Sequence, residues 1–328
     1  MATVSLNLWG ILSESKRIIN AHSRHFLALS VFFLLPLSFS LIVSPFLFPL
    51  LTPSNPSHIH ILLRLTKPHP QPQPQIPFPF SLPLLLFFLF ILAFSLFALA
   101  SITHSIFHGF FGRPVKLLSA LISIPTTFSP LLATAIISHL FLFSLALLPL
   151  LLFLLLPHLN LAISLSSPIF LTASSLLLLA LLFAVFYLRV SWTLAYVIVI
   201  AESTWGLEPL RRSASLINGM KGVAASSFLF FSSLEALLLW TTSVSVVGSD
   251  GWAWKDCAFV VQIVLTSTCL MLLLLYHAAA DTVLYMYCKA VHGELAFDIV
   301  EEFAWQYVSL PFDDAKVPHV VSVVGLQV

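Results

Sequence analysis

Four ionisable residues stand inside the long apolar stretches in the second half of the chain: Arg189, Glu235, His277 and Asp281. A charged side chain is costly within a bilayer, so it is the first candidate for function in a protein that crosses one. Counting residues along helices puts the first three at similar depth, with Asp281 one turn farther on. We expect a polar cluster between the fourth, fifth and sixth helices. It would serve either as a pathway for a proton or a solute, or as buried ion pairs that fix helix register.

Other residue patterns suggest weaker chemistry. His104 and His108 have the spacing of two metal ligands on one helical face, but a catalytic zinc usually needs three protein ligands and the sequence offers no third. The chain has no Gly-Xaa-Ser-Xaa-Gly nucleophile elbow and no phosphate-binding loop. We therefore expect no catalytic activity, no metal, no cofactor and no nucleic-acid partner.

The elements that carry these residues follow from composition. Hydrophobic residues make up 59% of the chain and charged residues 8%, far below the charge of a water-facing surface. Crossing the hydrocarbon core as a helix takes about 20 apolar residues. Six such runs lie near 26–51, 79–106, 130–156, 169–201, 223–247 and 258–280. The sequence thus predicts an all-α, polytopic membrane protein with six transmembrane helices and additional interfacial helices on the cytosolic side.

The basic residues predict how this chain is threaded. With a cytosolic N-terminus, ten Lys and Arg residues fall on the cytosolic side and only Arg64, Lys67 and Lys255 on the other. The ten are Lys16, Arg17, Arg24, Arg113, Lys116, Arg211, Arg212, Lys221, Lys289 and Lys316. We expect both termini in the cytosol, an amphipathic segment over 1–25, a six-helix membrane domain over 26–290 and an acidic cytosolic tail over 291–328.

Three basic, amphipathic segments would line the cytosolic face: Leu6 to Arg24, the apolar run Leu117 to Ile124 that Gly112 to Lys116 opens, and Pro209 to Asn218. The first and third combine an apolar helical face with a basic one, which is typical of helices lying in the headgroup layer. The second is too short to span and should lie flat or re-enter shallowly. Anionic lipids of the cytosolic leaflet are the expected partners of all three.

The apolar face predicted for Leu6 to Arg24 consists of Leu8, Ile11, Leu12, Ile18, Ile19 and His22, and that of the third segment of Leu207, Leu210, Ala214 and Ile217.

The polar cluster is more easily explained as a structural feature than as a pathway. All ten glycines lie outside the apolar runs or at their edges, whereas carriers with broken helices usually have Gly or Pro at matched positions in two halves. We expect a non-catalytic protein of the endomembrane system with a membrane-organising or trafficking-adaptor role. The alternative is a small-solute or ion carrier or channel using the cluster. In the tail, Tyr307 and Leu310 match a tyrosine-based sorting signal read by trafficking adaptors.

A resemblance adds to this picture. The stretches Tyr187 to Trp192, Ile198 to Glu202 and Leu210 to Gly219, with the Gly112-Arg113-Pro114 turn, resemble the membrane domain of glycerophosphodiester phosphodiesterases. The N-terminal Leu8 to Leu12 and the C-terminal Val317 to Val324 resemble a plant family of uncharacterised multi-pass membrane proteins. The hydrolytic domain of those phosphodiesterases has no counterpart here, so the resemblance implies a membrane fold and no activity. The endoplasmic reticulum, the Golgi and the plasma membrane all remain open as locations, as does the oligomeric state.

Overall fold

A computed structural model describes residues 7–51, 82–112, 115–155, 168–247 and 257–295. Within these ranges the chain forms helices and turns and no strand. The α-helices are α1 (Leu8–Ala21), α2 (Ser23–Leu29), α3 (Leu35–Leu51), α4 (Leu82–Phe110), α5 (Leu117–Leu155), α6 (Pro168–Ser191), α7 (Ala195–Glu202), α8 (Glu208–Leu216), α9 (Lys221–Val247) and α10 (Cys257–Val291). A π-helical segment, Ser30–Leu34, joins α2 to α3. Tyr307 and Leu310, together with most of the predicted tail, lie outside the described residues.

Six stretches are long and apolar enough to cross a membrane, which confirms the predicted all-α class and the number of candidate spans. They are Ser23–Leu47, Leu82–Phe110, Leu117–Leu148, Thr172–Glu202, Lys221–Val244 and Cys257–Val291, called spans one to six below. Large apolar side chains cover their outer surfaces; on α6, for example, Leu176, Leu178, Leu182 and Phe183 are all exposed. Water-soluble monomers rarely expose apolar surface on this scale, so the helices fit a multi-pass integral membrane protein.

The chain divides into two compact units, residues 1–285 and 286–328. The second unit contains the last turns of α10, which end in a glycine-dependent cap. Gly293 has φ +75°, its N–H donates to Ala290 O at 3.1 Å, and the N–H of Glu294 donates to Lys289 O at 3.0 Å. This pattern satisfies carbonyls that the end of a helix otherwise leaves unpaired. All contacts described below lie within residues 1–285.

Two hydrophobic clusters hold the helices of the first unit together. In one, Ile42 and Val43 of span one pack against Phe259, Ile263 and Leu270 of span six. In the other, residues of span two meet span three and α7; its members are Leu96, Ala100, Leu131, Ala135 and Val199. Small residues let α4 and α5 approach closely, as is usual where helices pack in lipid.

The apolar faces of α1 and α8 are covered by protein, which corrects the expectation that these faces lie in the headgroup layer. Ile11, Ile18 and Ile19 of α1 are buried, and α1 contacts α4 and α9. On the helix α8 and the turn after it, the buried residues are Pro209, Leu210, Ser213, Leu216 and Ile217, whereas Leu207 and Ala214 are exposed. Packing against other helices removes an apolar face from water and headgroups more completely than lying on the membrane surface does. It therefore contributes more free energy to folding.

The prediction that Leu117 to Ile124 forms a separate run that lies flat or re-enters shallowly is wrong. These residues form the first turns of α5, a continuous helix of 39 residues that passes through Pro125 and Pro130. Hydroxyl groups bond to carbonyls in this region: Thr127 Oγ1 donates to Ser123 O at 2.7 Å. At 1.5 Å per residue the helix is about 58 Å long, well beyond a hydrocarbon core of about 30 Å. The short run therefore forms the first two turns of span three and is not a separate element.

Span one contains a widened turn. In the segment Ser30–Leu34 the N–H of Leu35 donates to Ser30 O, five residues back instead of four. Pro36 follows directly, and a proline ring clashes with the carbonyl four residues before it, so a wider turn at this point relieves that crowding. The helix axis continues into α3, but one extra residue has been inserted into the turn.

Candidate functional site

His277 of α10 is the centre of the predicted polar cluster. Its Nδ1 lies 2.8 Å from Glu235 Oε1 on α9, a hydrogen-bonding distance. Its Nε2 lies 3.6 Å from Asp281 Oδ2, one turn along α10. The Glu235 and His277 side chains are 25% and 22% exposed, so both are largely buried within the protein. Three of the four predicted residues therefore contact one another, and the imidazole bridges the two carboxyl groups.

An aromatic ring holds this imidazole in place. Phe231 and His277 stack with ring centroids 4.7 Å apart and an angle of 4° between the ring planes. Phe231 is buried and lies four residues before Glu235, so one face of α9 supplies both the stacking ring and the carboxyl group. The helical i,i+4 spacing on α9 and on α10 thus positions all the partners of His277.

A cavity of about 490 Å³ opens beside this cluster, within the size range of small-molecule sites. Its wall is mostly aliphatic, with Leu34 and Leu37 of span one and Leu92, Leu96 and Leu99 of span two. The polar side chains on the wall are Ser95, Ser138, His139, Arg189, Trp192, Thr193, Tyr196, His277 and Asp281. The cavity thus combines an apolar body with a polar region formed mainly by spans three, four and six.

Arg189 lines this cavity but does not join the cluster. Its side chain is exposed and makes no ion pair with any residue that the structure describes. Its backbone carbonyl accepts a hydrogen bond from Thr193 Oγ1 at 3.0 Å. Arg189 and Glu235 were predicted to lie at similar depth. In the structure Glu235 pairs with His277 and not with Arg189.

Span four is interrupted beside Arg189. Between α6 and α7, Trp192 to Leu194 form tight turns in which the N–H of Ala195 donates to Trp192 O at 3.0 Å. In a regular helix that N–H would bond to Ser191 O. The freed Ser191 carbonyl instead accepts from Ser213 Oγ of α8 at 2.7 Å, in a fully buried position. A side chain from the helix that follows span four thus satisfies the backbone at the break.

Two cavity residues that sequence analysis missed lie next to the break. Trp192 and Tyr196 follow Arg189 at i+3 and i+7, and both line the cavity. The hydroxyl of Tyr196 lies 3.1 Å from Ser138 Oγ on span three. The Trp192 indole packs edge to face on Phe141, and its N–H has no acceptor among the described residues. Helical spacing from Arg189 is the signal that could have identified them.

His104 and His108 do contact each other, with their Nε2 atoms 3.1 Å apart. A third histidine, His25, lies 2.9 Å through Nε2 from Ser105 Oγ on the same helix. Among the described residues, however, no group of three or more His, Cys, Asp or Glu side chains is placed to hold a metal ion. His25 thus joins the ends of spans one and two, whereas His104 and His108 contact each other within α4.

A second polar network joins α7, α8 and α10. Tyr285 donates its hydroxyl to Glu202 Oε1 at 2.9 Å, and Arg212 Nε lies 3.5 Å from Glu202 Oε2. Ser203, immediately after Glu202, has φ +53°, in the left-handed region that ends the helix. This network fixes the end of span four, and with Ser213 it holds α8 against the interrupted helix.

The chain belongs to the family described as Domain of unknown function (DUF8558), whose model matches residues 3–319. No curated protein and no solved structure matches it. The resemblance to the membrane domain of glycerophosphodiester phosphodiesterases and to a plant family therefore stays a prediction.

Proposed function

We propose that the protein is a multi-pass integral membrane protein that binds a small amphipathic molecule in its cavity and acts as a carrier for it. The observation that carries this proposal is the cavity of about 490 Å³ at the interruption of span four. Its aliphatic wall would hold an apolar body, and its polar region would hold a head group. The ligand-sized space beside the ionisable residues favours this carrier role over a membrane-organising role.

The irregular helices support movement of a bound molecule. The π-helical segment of span one and the break in span four both contribute to the cavity wall, through Leu34 and Trp192 respectively. Interrupted helices are the usual elements of substrate sites in carriers, since their free backbone groups and hinges lie at the binding depth. The absence of Gly and Pro from the break in span four therefore does not argue against a carrier.

A cavity-filling substitution tests the proposal. Ala278 lines the cavity, and Ala278→Leu should reduce the occupancy of any small molecule that remains bound through mild-detergent purification, as measured by native mass spectrometry. Ala180, an exposed residue of α6, provides the matched control Ala180→Leu, which should leave occupancy unchanged. In vesicles containing purified protein, the first variant should also lower the transfer of a fluorescent fatty-acid analogue between leaflets. Equal occupancy and equal transfer in both variants would exclude the cavity as the site.

Exposed aromatic and basic residues favour a second candidate, the membrane-organising or adaptor role. Trp9 is 74% exposed and Trp205 69% exposed, and Arg211 and Leu207 are exposed nearby on or beside α8. Tryptophan beside basic residues is typical of helices at the headgroup layer, so anionic lipids stay the expected partners.

If trafficking adaptors also bind, Tyr307→Ala with Leu310→Ala should abolish their recovery in mild detergent. Unchanged recovery would exclude this sorting signal.

The orientation follows from the charge asymmetry and belongs to the same proposal. With both termini cytosolic in an endomembrane, glycosylation sequons inserted near Pro70 should be modified, and sequons inserted near Arg212 should not. The reverse pattern of modification would invert the topology.

A further inference from the structure

We infer that the cavity selects a single-chain amphipathic anion, whose carboxylate or phosphate head is held by Arg189 beside the break in span four. The inference rests on the proposed binding function and adds to it the charge and size of the ligand.

The first argument is the missing counter-charge of Arg189. This residue lies in the middle of span four, where a charged side chain is costly. Such residues normally face a partner or a water-filled cavity, and Arg189 faces the cavity without an ion pair among the described residues. An anionic head group would supply the charge that no described side chain supplies.

The acidic groups of the site are engaged elsewhere. Glu235 bonds to His277, and the imidazole lies between it and Asp281. The other oxygen of Asp281, Oδ1, is buried and has no hydrogen-bond partner among the described residues, although Asp281 lines the cavity. A cationic ligand could pair with Glu235 only by displacing His277, and it would meet the positive charge of Arg189 in the same cavity, whereas an anion can reach Arg189 without breaking a described contact.

A second donor lies beside Arg189. The Trp192 indole N–H has no acceptor among the described residues, whereas Ser138 Oγ donates to Ala135 O at 3.0 Å and accepts from the Tyr196 hydroxyl at 3.1 Å. Arg189 and Tyr196 lie on either side of the break, Trp192 lies within it, and all three line the cavity. A planar guanidinium with an adjacent N–H suits the oxygens of a carboxylate or a phosphate.

The rest of the wall fixes the size and character of the remaining part of the ligand. Spans one and two contribute aliphatic side chains, among them Leu37, Ile91 and Leu99, and no charged residue. A space of about 490 Å³ lies toward the lower end of the range for small-molecule sites, so it suits one alkyl chain and not a two-chain phospholipid.

The test compares four probes with the same dodecyl chain and different heads: dodecanoate, dodecyl phosphate, dodecyltrimethylammonium and dodecanol. The full-length protein is placed in nanodiscs of zwitterionic lipid, and binding is measured by the rise in its unfolding temperature with probe concentration, corrected for partitioning into empty nanodiscs. We expect the two anions to bind about tenfold or more tightly than the cation and the alcohol, the difference made by one charge-assisted contact.

Substitutions assign the preference to Arg189. Arg189→Gln should remove the advantage of the anions while leaving dodecanol binding unchanged, and Arg189→Lys should retain part of that advantage. Trp192→Phe should weaken the anions by a smaller factor. Arg211→Gln, an exposed arginine on α8 that does not line the cavity, is the matched control and should change nothing.

The outcomes separate this inference from the proposed function. If dodecyltrimethylammonium binds as tightly as dodecanoate, or if Arg189→Gln and Arg211→Gln behave alike, the anion selectivity is wrong although the cavity still binds amphipaths. If none of the four probes binds, including dodecanol, and Ala278→Leu is also without effect, the proposed function itself fails and the inference fails with it.

Discussion

Spans three and four differ in a way that their sequences do not suggest. Span three contains Pro125 and Pro130, yet α5 runs through both without interruption. Span four contains neither Gly nor Pro between Pro168 and Glu202, yet it breaks at Trp192 to Leu194. The break lies where Ser213 of α8 reaches the carbonyl of Ser191. Tertiary contacts therefore decide where these helices are interrupted, and local propensity does not.

Among the variants that test this contrast, Ser213→Ala should have the largest effect on stability. Ser213 is fully buried, and its loss leaves the Ser191 carbonyl without a partner in a dry environment. We expect the free energy of unfolding to fall by about 1 to 3 kcal/mol, measured by denaturant or thermal unfolding in detergent. Ser215→Ala is the control, since Ser215 is exposed and donates only to Arg212 O of its own helix. Equal stability of the two variants would show that the break does not depend on α8.

Thr134→Val should have the next largest effect, because Thr134 links span three to the segment after span four. Its Oγ1 accepts from the Gly206 N–H at 3.1 Å in a buried position and donates to Pro130 O at 2.9 Å. Valine keeps the shape and removes the acceptor, so we expect a loss of about 1 to 2 kcal/mol. Thr126→Val, at an exposed position bonded only to Ser123 O, should be nearly neutral. A neutral Thr134→Val would mean that Gly206 finds another acceptor.

Pro125→Ala should have the smallest effect, and in the opposite direction. Pro125 is exposed within a continuous helix, and alanine restores a backbone N–H at that position. We expect stability to rise by about 1 kcal/mol or less, because the variant also loses the restriction that proline places on the unfolded chain, and we expect unchanged cavity binding in the dodecanoate assay. A marked loss of stability would mean that the proline itself shapes span three, and the contrast with span four would then be one of sequence after all.

Much of the fold was predictable because it depends on length and apolar composition. The six apolar runs coincide with the six candidate spans, although the predicted start of span three, near 130, falls well inside α5. Leu117 to Ile124 was misassigned because the run was counted by itself and is too short to span. The apolar faces of α1 and α8 were recognised in part, but a sequence cannot tell whether such a face meets lipid or protein.

The site was predictable only where helical depth determines it. Glu235, His277 and Asp281 could be brought together by counting residues along two helices, and the structure places them in contact. Arg189 was assigned to the same depth, but rotation about the helix axis decides which residues it meets. The break in span four, three residues after Arg189, was not predictable either, because the side chain that satisfies its Ser191 carbonyl belongs to a residue more than twenty positions away, Ser213.

The widened turn of span one makes this helix more sensitive to deletion of a residue than to substitution of a side chain. One residue corresponds to a rotation of about 100° around an α-helix, so the segment Ser30–Leu34 joins two helical stretches with different angular phase. The stretch before it can direct His25 toward Ser105 of span two, while the stretch after it directs Ile42 and Val43 toward span six. Substituting a side chain within the segment preserves this phase difference. Deleting a single residue would remove it and turn Ile42 and Val43 away from Phe259, so the number of residues in this turn is under stronger constraint than their identity.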